Sequence, residues 1–162
     1  MKISGFIAIA RCISAATCMV MAGGAVAAEE EQNWPEGSAM AVGSRLAQTR
    51  DYFERLLNRE ANKLTQLLSE EKQPNTRLIH ALQTQQQAWI KYRNDECELI
   101  GSLSGAGGTW PSTYAVECQA NLTDQRFRRL RWAIKCWRDI PTQDRSFSGS
   151  RCLYQLAPLA TR

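Results

Sequence analysis

The side chains able to act on a substrate are few. Asp95, Glu96 and Glu98 fall together, and a pair of carboxylates, one protonated and one ionised, is what glycosidic cleavage needs. Nothing in the surrounding sequence would hold one of the three protonated, so they read as a solvated acidic face. His80 is the only histidine. This argues against a histidine-rich metal centre and against a relay needing a second histidine. Arg126, Arg128, Arg129, Arg131, Lys135 and Arg138 form a basic run, which reads as a solvated helix face or a contact for anionic envelope polymers. Catalysis, a cofactor and a bound metal are therefore not expected.

Two stretches are better suited to binding. Gln85, Trp89 and Tyr92 share a helical face, and Arg93 lies one turn beyond Trp89. This set is either a polar and aromatic recognition patch or an architectural node. In the node Trp89 fills the core, while Arg93 and Arg126 bond loop carbonyls or carboxylates of a neighbouring helix. The second stretch is the loop Ser102–Ser112, with Gly105, Gly107, Gly108 and Trp110. Glycine tolerates the positive φ angles such a loop demands. The loop is either a plain helix connection or an element inserted into a partner's cleft, with Asp95 and Glu98 as acids on its rim.

The N-terminus reads as a secretory signal peptide over residues 1–27. Lys2 supplies the positive start, Ile7 to Val20 is mostly apolar with Arg11 interrupting, and Ala25-Val26-Ala27 precedes Ala28 at a small-residue cleavage site. The apolar run after Arg11 is shorter than the ~20 residues of a membrane span, so no stable membrane insertion is expected after cleavage. Location is then periplasmic or secreted, and nucleic acid is not an expected partner. Cys12 and Cys18 leave with the signal, and the four remaining cysteines of an exported chain point to disulfides. Charge is uneven: residues 29–100 hold 12 acids and 9 bases, residues 101–162 hold 4 and 9.

Residues 28–43 read as a flexible leader with Pro35 and Gly37. From Ser44, Leu46, Phe53, Leu56, Leu57, Leu64, Leu67 and Leu68 recur at helical spacing. Pro74-Asn75-Thr76 ends that helix and caps a second, from Thr76 to Ile100, with Leu78, Leu82, Gln85, Trp89, Tyr92 and Leu99 near one stripe. A third begins near Ser112 or Thr113 and meets no proline before Pro141. Its stripe is Tyr114, Cys118, Leu122, Arg126, Leu130, Ala133 and Trp137. The expected fold is all-α, an antiparallel bundle of three long helices over residues 44–140, stapled by disulfides. A disulfide-pinned, irregular tail follows over 141–162.

Four cysteines allow three pairings. Cys118 and Cys136 lie on one helix about 27 Å apart at the helical rise, whereas a disulfide needs Cα atoms within about 7 Å. In a helical hairpin Cys97 faces Cys118, leaving Cys136 for Cys152. Each bridge closes a loop of about 20 residues, worth roughly 3 kcal/mol by the chain-entropy argument.

The spaced pattern Gln85, Trp89, Tyr92, Arg93, Cys97, then Gly107-Gly108, then Cys118, Leu122, Thr123 and Arg126 resembles the family named for the lysozyme inhibitor LprI. The likeness runs over residues 44–137. It implies an exported bacterial helical protein and, through the few members implicated in inhibiting lysozyme, a protein partner such as a lysozyme or muramidase. Two departures stand out: no cysteine precedes the first helix in the mature chain, and the segment after Trp137 looks like an addition of this protein's own. The resulting expectation is a periplasmic binding protein that occludes the cleft of a lysozyme-like peptidoglycan glycosidase. The alternative is an envelope interaction module without inhibitory activity, such as an immunity partner of a secreted toxin or a subunit of an envelope assembly.

Overall fold

The structure, a computed structural model, describes residues 34–157. The expected signal peptide and the first six residues of the expected leader (28–33) lie outside the described residues, and the end of that leader, from Ala39, is helical. Three long helices follow in order: α1 (Ala39–Ser69), α2 (Thr76–Leu103) and α3 (Trp110–Asp139), then a 3₁₀ turn (Thr142–Asp144), α4 (Arg145–Leu153) and a second 3₁₀ turn (Tyr154–Leu156). The described part is all-helical.

Each helix starts where local chemistry allows it. Ser38 Oγ accepts the Ala41 N–H at 3.2 Å, capping α1. Asn75 Oδ1 accepts the Leu78 N–H at 2.9 Å, capping α2. Pro111 occupies the first turn of α3, where its missing N–H costs nothing. Two starts differ from expectation. Helix α1 begins at Ala39, ahead of Ser44, because its first turn is held by α3: the Thr113 hydroxyl donates to the Ala39 carbonyl at 2.9 Å. Helix α3 begins at Trp110, ahead of Ser112, so the connection after α2 is shorter than its glycines imply.

Helix α3 is central and packs against both α1 and α2, which touch each other little. The order is up, down, up. The start of α1, the end of α2 and the start of α3 share one end of the bundle, the tip. The α1–α2 connection, the end of α3 and α4 share the other, the base. Leu57, Leu64, Leu68, Trp89, Leu130, Ala133, Ile134 and Trp137 form the core, joined by Leu153 and Leu156 from the C-terminal segment. That segment is accordingly not irregular. Ser146 to Ser150, a run poor in helix formers, lies in α4, whose Gly149 is buried beside the Trp137 ring. Packing and the adjacent disulfide override propensity there.

Two disulfides staple the bundle. Cys97–Cys118 joins α2 to α3 with Cα atoms 5.4 Å apart, and Cys136–Cys152 joins α3 to α4 at 5.6 Å. Near the first, α2 and α3 come together at Gly101. A Cβ there would lie 2.4 Å from the Pro111 carbonyl oxygen, so only glycine permits this approach.

Candidate functional site

Helix α2 sets the geometry of the tip by its phase. Trp89, Arg93, Cys97 and Gly101, four residues apart, are the buried line. Tyr92, Leu99 and Leu103, expected in part to face inward, fall on the flank instead and are 43, 53 and 75 % exposed. The reason is drift: an inward line of strict four-residue steps carries positions 92, 99 and 103 about a quarter-turn or more from its axis at the tip. Ile100 is exposed beside them, and Tyr114 on α3, also expected inward, is exposed too. Ile100, Leu103, Ser104, Tyr114, Glu117, Cys118 and Asn121 line an open groove of about 500 Å³ between α2 and α3.

The connection beyond it is exposed except for half-buried Ala106. Gly105 and Gly108 have φ of 65° and 62°; Gly107 does not share the positive φ expected of it. Trp110 belongs to the first turn of α3 rather than to the loop. Its ring stacks on Tyr114 at 5.8 Å between centroids. It therefore braces one wall of the groove.

Charge at the tip has one sign along the hairpin. From Asn94 to Gln125 there are five acids, Asp95, Glu96, Glu98, Glu117 and Asp124, and no lysine or arginine. Asp95 is paired with Lys91 and Asp124 with Arg128. Glu96, Glu98 and Glu117 make no ion pair among the described residues, and Glu98 and Glu117 are exposed.

Below the tip lies a buried polar node. Arg93 Nη1 pairs with Glu54 of α1 at 2.7 Å and donates to Thr123 Oγ1 of α3 at 2.8 Å. Arg126 donates to the Leu156 carbonyl at 2.6 Å, to Gln86 Oε1 at 3.2 Å, and to Gln85 Oε1. Both guanidinium carbons lie 5.6 Å from the Trp89 ring centroid, within cation–π range. Burial, and then the neighbouring Arg129 charge, lower the Arg126 pKa from its ordinary value to about 10. Arg93 and Arg126 are thus brought together around Trp89, with Gln85 alongside, and Tyr92 is left outside on the surface.

The family model for the lysozyme inhibitor LprI matches residues 29–130. The chain belongs to the LprI family. No curated protein and no solved structure matches it. The LprI match includes α1, α2, the glycine connection and most of α3. It stops at Leu130, short of Cys136, α4 and Cys152.

Within this LprI-family fold the candidate residues separate. Gln85, Trp89, Arg93 and Arg126 are interior and bind helices to one another. Gly105, Gly107, Gly108 and Glu98 are at the surface of the tip, with Trp110 supporting it. Asp95 is at the surface but neutralised by Lys91. The residues that sequence reasoning missed are Leu99, Ile100, Leu103, Tyr114 and Glu117. Their signal was available in the four-residue step from Trp89 to Gly101, which fixes the buried phase and leaves those apolar side chains unaccounted for.

Among the described residues, no helix is long and apolar enough to cross a membrane, and no group of three or more His, Cys, Asp or Glu could hold a metal ion.

Proposed function

We propose that this LprI-family protein is an exported binding protein that inhibits a lysozyme-like peptidoglycan glycosidase by occluding its cleft with the α2–α3 tip. The observation that carries the reading is the pairing of an unpartnered apolar groove with a hairpin surface free of basic residues. Leu99, Ile100, Leu103 and Tyr114 offer apolar area that binding would remove from water, at about 25 cal/mol per Å². Glu98 and Glu117 beside them would attract a basic enzyme and orient it.

Rigidity favours the same reading. Cys97–Cys118 lies just behind the loop, and Gly101 locks the two helices in contact, so little ordering entropy remains to be lost on binding. The contact residues would be Leu103, the glycine loop and Glu98, with Trp110 holding Tyr114 in place. The two disulfides accord with an oxidising compartment, and the N-terminal signal-peptide pattern with export to the periplasm or beyond.

The test is inhibition of purified lysozymes of several classes by the oxidised protein beginning at Ala28, beside Leu103→Asp. Saturable inhibition that Leu103→Asp loses supports the reading. Absence of inhibition at micromolar protein, with folding and both disulfides verified, would transfer the function to a non-inhibitory envelope interaction module. A pull-down from the producing cell would then identify its partner.

A further inference from the structure

A second groove, of about 590 Å³, runs between α1 and α3 and is independent of the tip. Its walls carry five bases, Arg59, Lys63, Arg131, Lys135 and Arg138, against two acids, Glu60 and Asp139. Each acid is already paired with a lysine of its own helix: Glu60 with Lys63 at 3.7 Å and Asp139 with Lys135 at 2.5 Å. Arg59, Arg131 and Arg138 are exposed and have no carboxylate in ion-pairing distance among the described residues. On the same helices Arg50 pairs with Asp51 and Arg128 with Asp124, while Arg45, Arg55 and Arg129 have no ion pair among the described residues. Three arginines without a carboxylate partner thus line one concavity.

The groove is also aromatic. Phe127 lies in its lining with the Arg131 guanidinium 5.6 Å from the ring centroid, and Tyr52, 52 % exposed, lies at its rim. Arginine forks match carboxylate and phosphate oxygens two at a time. Flat aromatic faces beside them suit the apolar face of a sugar ring. A concave wall of one sign focuses the field on an elongated anion. We propose that the α1–α3 groove binds an anionic polysaccharide, a polymer of sugars bearing carboxylate or phosphate groups. Arg59, Arg131 and Arg138 grip its charges, and Tyr52 and Phe127 contact its rings. The tip is then left free, so the site does not depend on the inhibitory reading.

The test is calorimetric titration of the purified, oxidised protein with a defined oligogalacturonate, with a neutral maltooligosaccharide of equal length as comparator. Arg59→Ala/Arg131→Ala/Arg138→Ala should weaken binding roughly tenfold or more, since it removes the charged hydrogen bonds that hold the anion. Arg77→Ala/Arg128→Ala/Arg151→Ala, which removes the same charge elsewhere, should change it less than about twofold. If the groove triple fails to fold, Arg59→Gln/Arg138→Gln, leaving Arg131 on Phe127, takes its place. Equal loss in both triples, equal binding of the neutral sugar, or no binding of the oligogalacturonate would overturn the proposal. So would a concentration-dependent dimer in sedimentation that the groove variant abolishes, because the occupant would then be the acidic tip of a second copy.

Discussion

Arg126 donates to the carbonyl oxygen of Leu156 at 2.6 Å, tying the C-terminal 3₁₀ turn to the middle of α3. No carboxylate answers this buried cation among the described residues; its partners are the Leu156 carbonyl, Gln85 and Gln86, beside the Trp89 ring. The hydrogen bonds offset its desolvation because a guanidinium serves several acceptors from one plane. An ammonium cannot reach all three. Arg126→Lys should therefore destabilise the protein by about 2 kcal/mol, measured by urea denaturation. The offset should be flat with pH. The unfolded chain binds this proton more tightly, so burial opposes folding at every pH below about 10 and is relieved only as pH rises beyond about 10. Equal losses at acidic and neutral pH would agree; a loss that vanishes at neutral pH would not.

Arg93 differs in having its charge answered. It is buried, whereas the Glu54 side chain opposite it is 36 % exposed. Replacing the carboxylate by an amide keeps the shape and an acceptor but leaves the arginine's charge unpaired. Glu54→Gln should cost about 1 kcal/mol, less than breaking a fully buried pair, because water still reaches the glutamate. The midpoint shift in urea measures it. An unchanged midpoint would mean that Thr123 and Asn94, whose Oδ1 accepts from Arg93 Nε and Nη2, hold Arg93 without help.

How far the sequence revealed this arrangement depends on the element. The three long helices were legible because Leu57, Leu64 and Leu68 on α1, and Leu130, Ala133 and Trp137 on α3, repeat at helical spacing. The tail was not, because α4 is held by Trp137 against Gly149 and by Cys152, contacts from beyond its own sequence. The start of α1 was hidden for the same reason: Gly43 reads as a breaker until Thr113 is seen to hold Ala39. At the tip the glycines drew attention to the loop, while the apolar residues beside it were assigned to the core. Leu99 is as hydrophobic as any core residue, Tyr114 carries a large aromatic ring, and only the exact phase of packing shows them facing water.

The Cys136–Cys152 bridge closes a separation of 16 residues at the base. Cys136→Ser/Cys152→Ser removes that constraint from the unfolded chain, a loss of roughly 3 kcal/mol. The local consequence is more diagnostic. Amide exchange should accelerate in α4 and the 3₁₀ turns on either side, while α2 and the Cys97–Cys118 region keep their protection. Uniform acceleration across α1, α2 and α3 would show instead that α4 is needed for the core as a whole, through Leu153 and Leu156.

Gly101 ties stability to the shape of the tip. A methyl group at this position would sit 2.4 Å from the Pro111 carbonyl oxygen and 3.1 Å from the Ala115 Cβ. Neither is the end of a flexible side chain, so α2 and α3 must part for Gly101→Ala to fold. Overpacking of this kind costs about 1–3 kcal/mol, against a gain below ~1 kcal/mol from alanine's better helix propensity. The balance is a net loss, read as a lowered melting temperature. The strain falls one turn from Cys97 and beside the groove of Ile100, Leu103 and Tyr114, so any inhibitory activity should decline more than stability does. Gly105→Ala, at a φ of 65° in open space, separates the two effects. It strains only the loop, by about 1–2 kcal/mol, and leaves the helix contact intact. If the two variants lost inhibition equally, the loop conformation alone would account for binding; a larger loss in Gly101→Ala would assign it to the wall spacing of the groove.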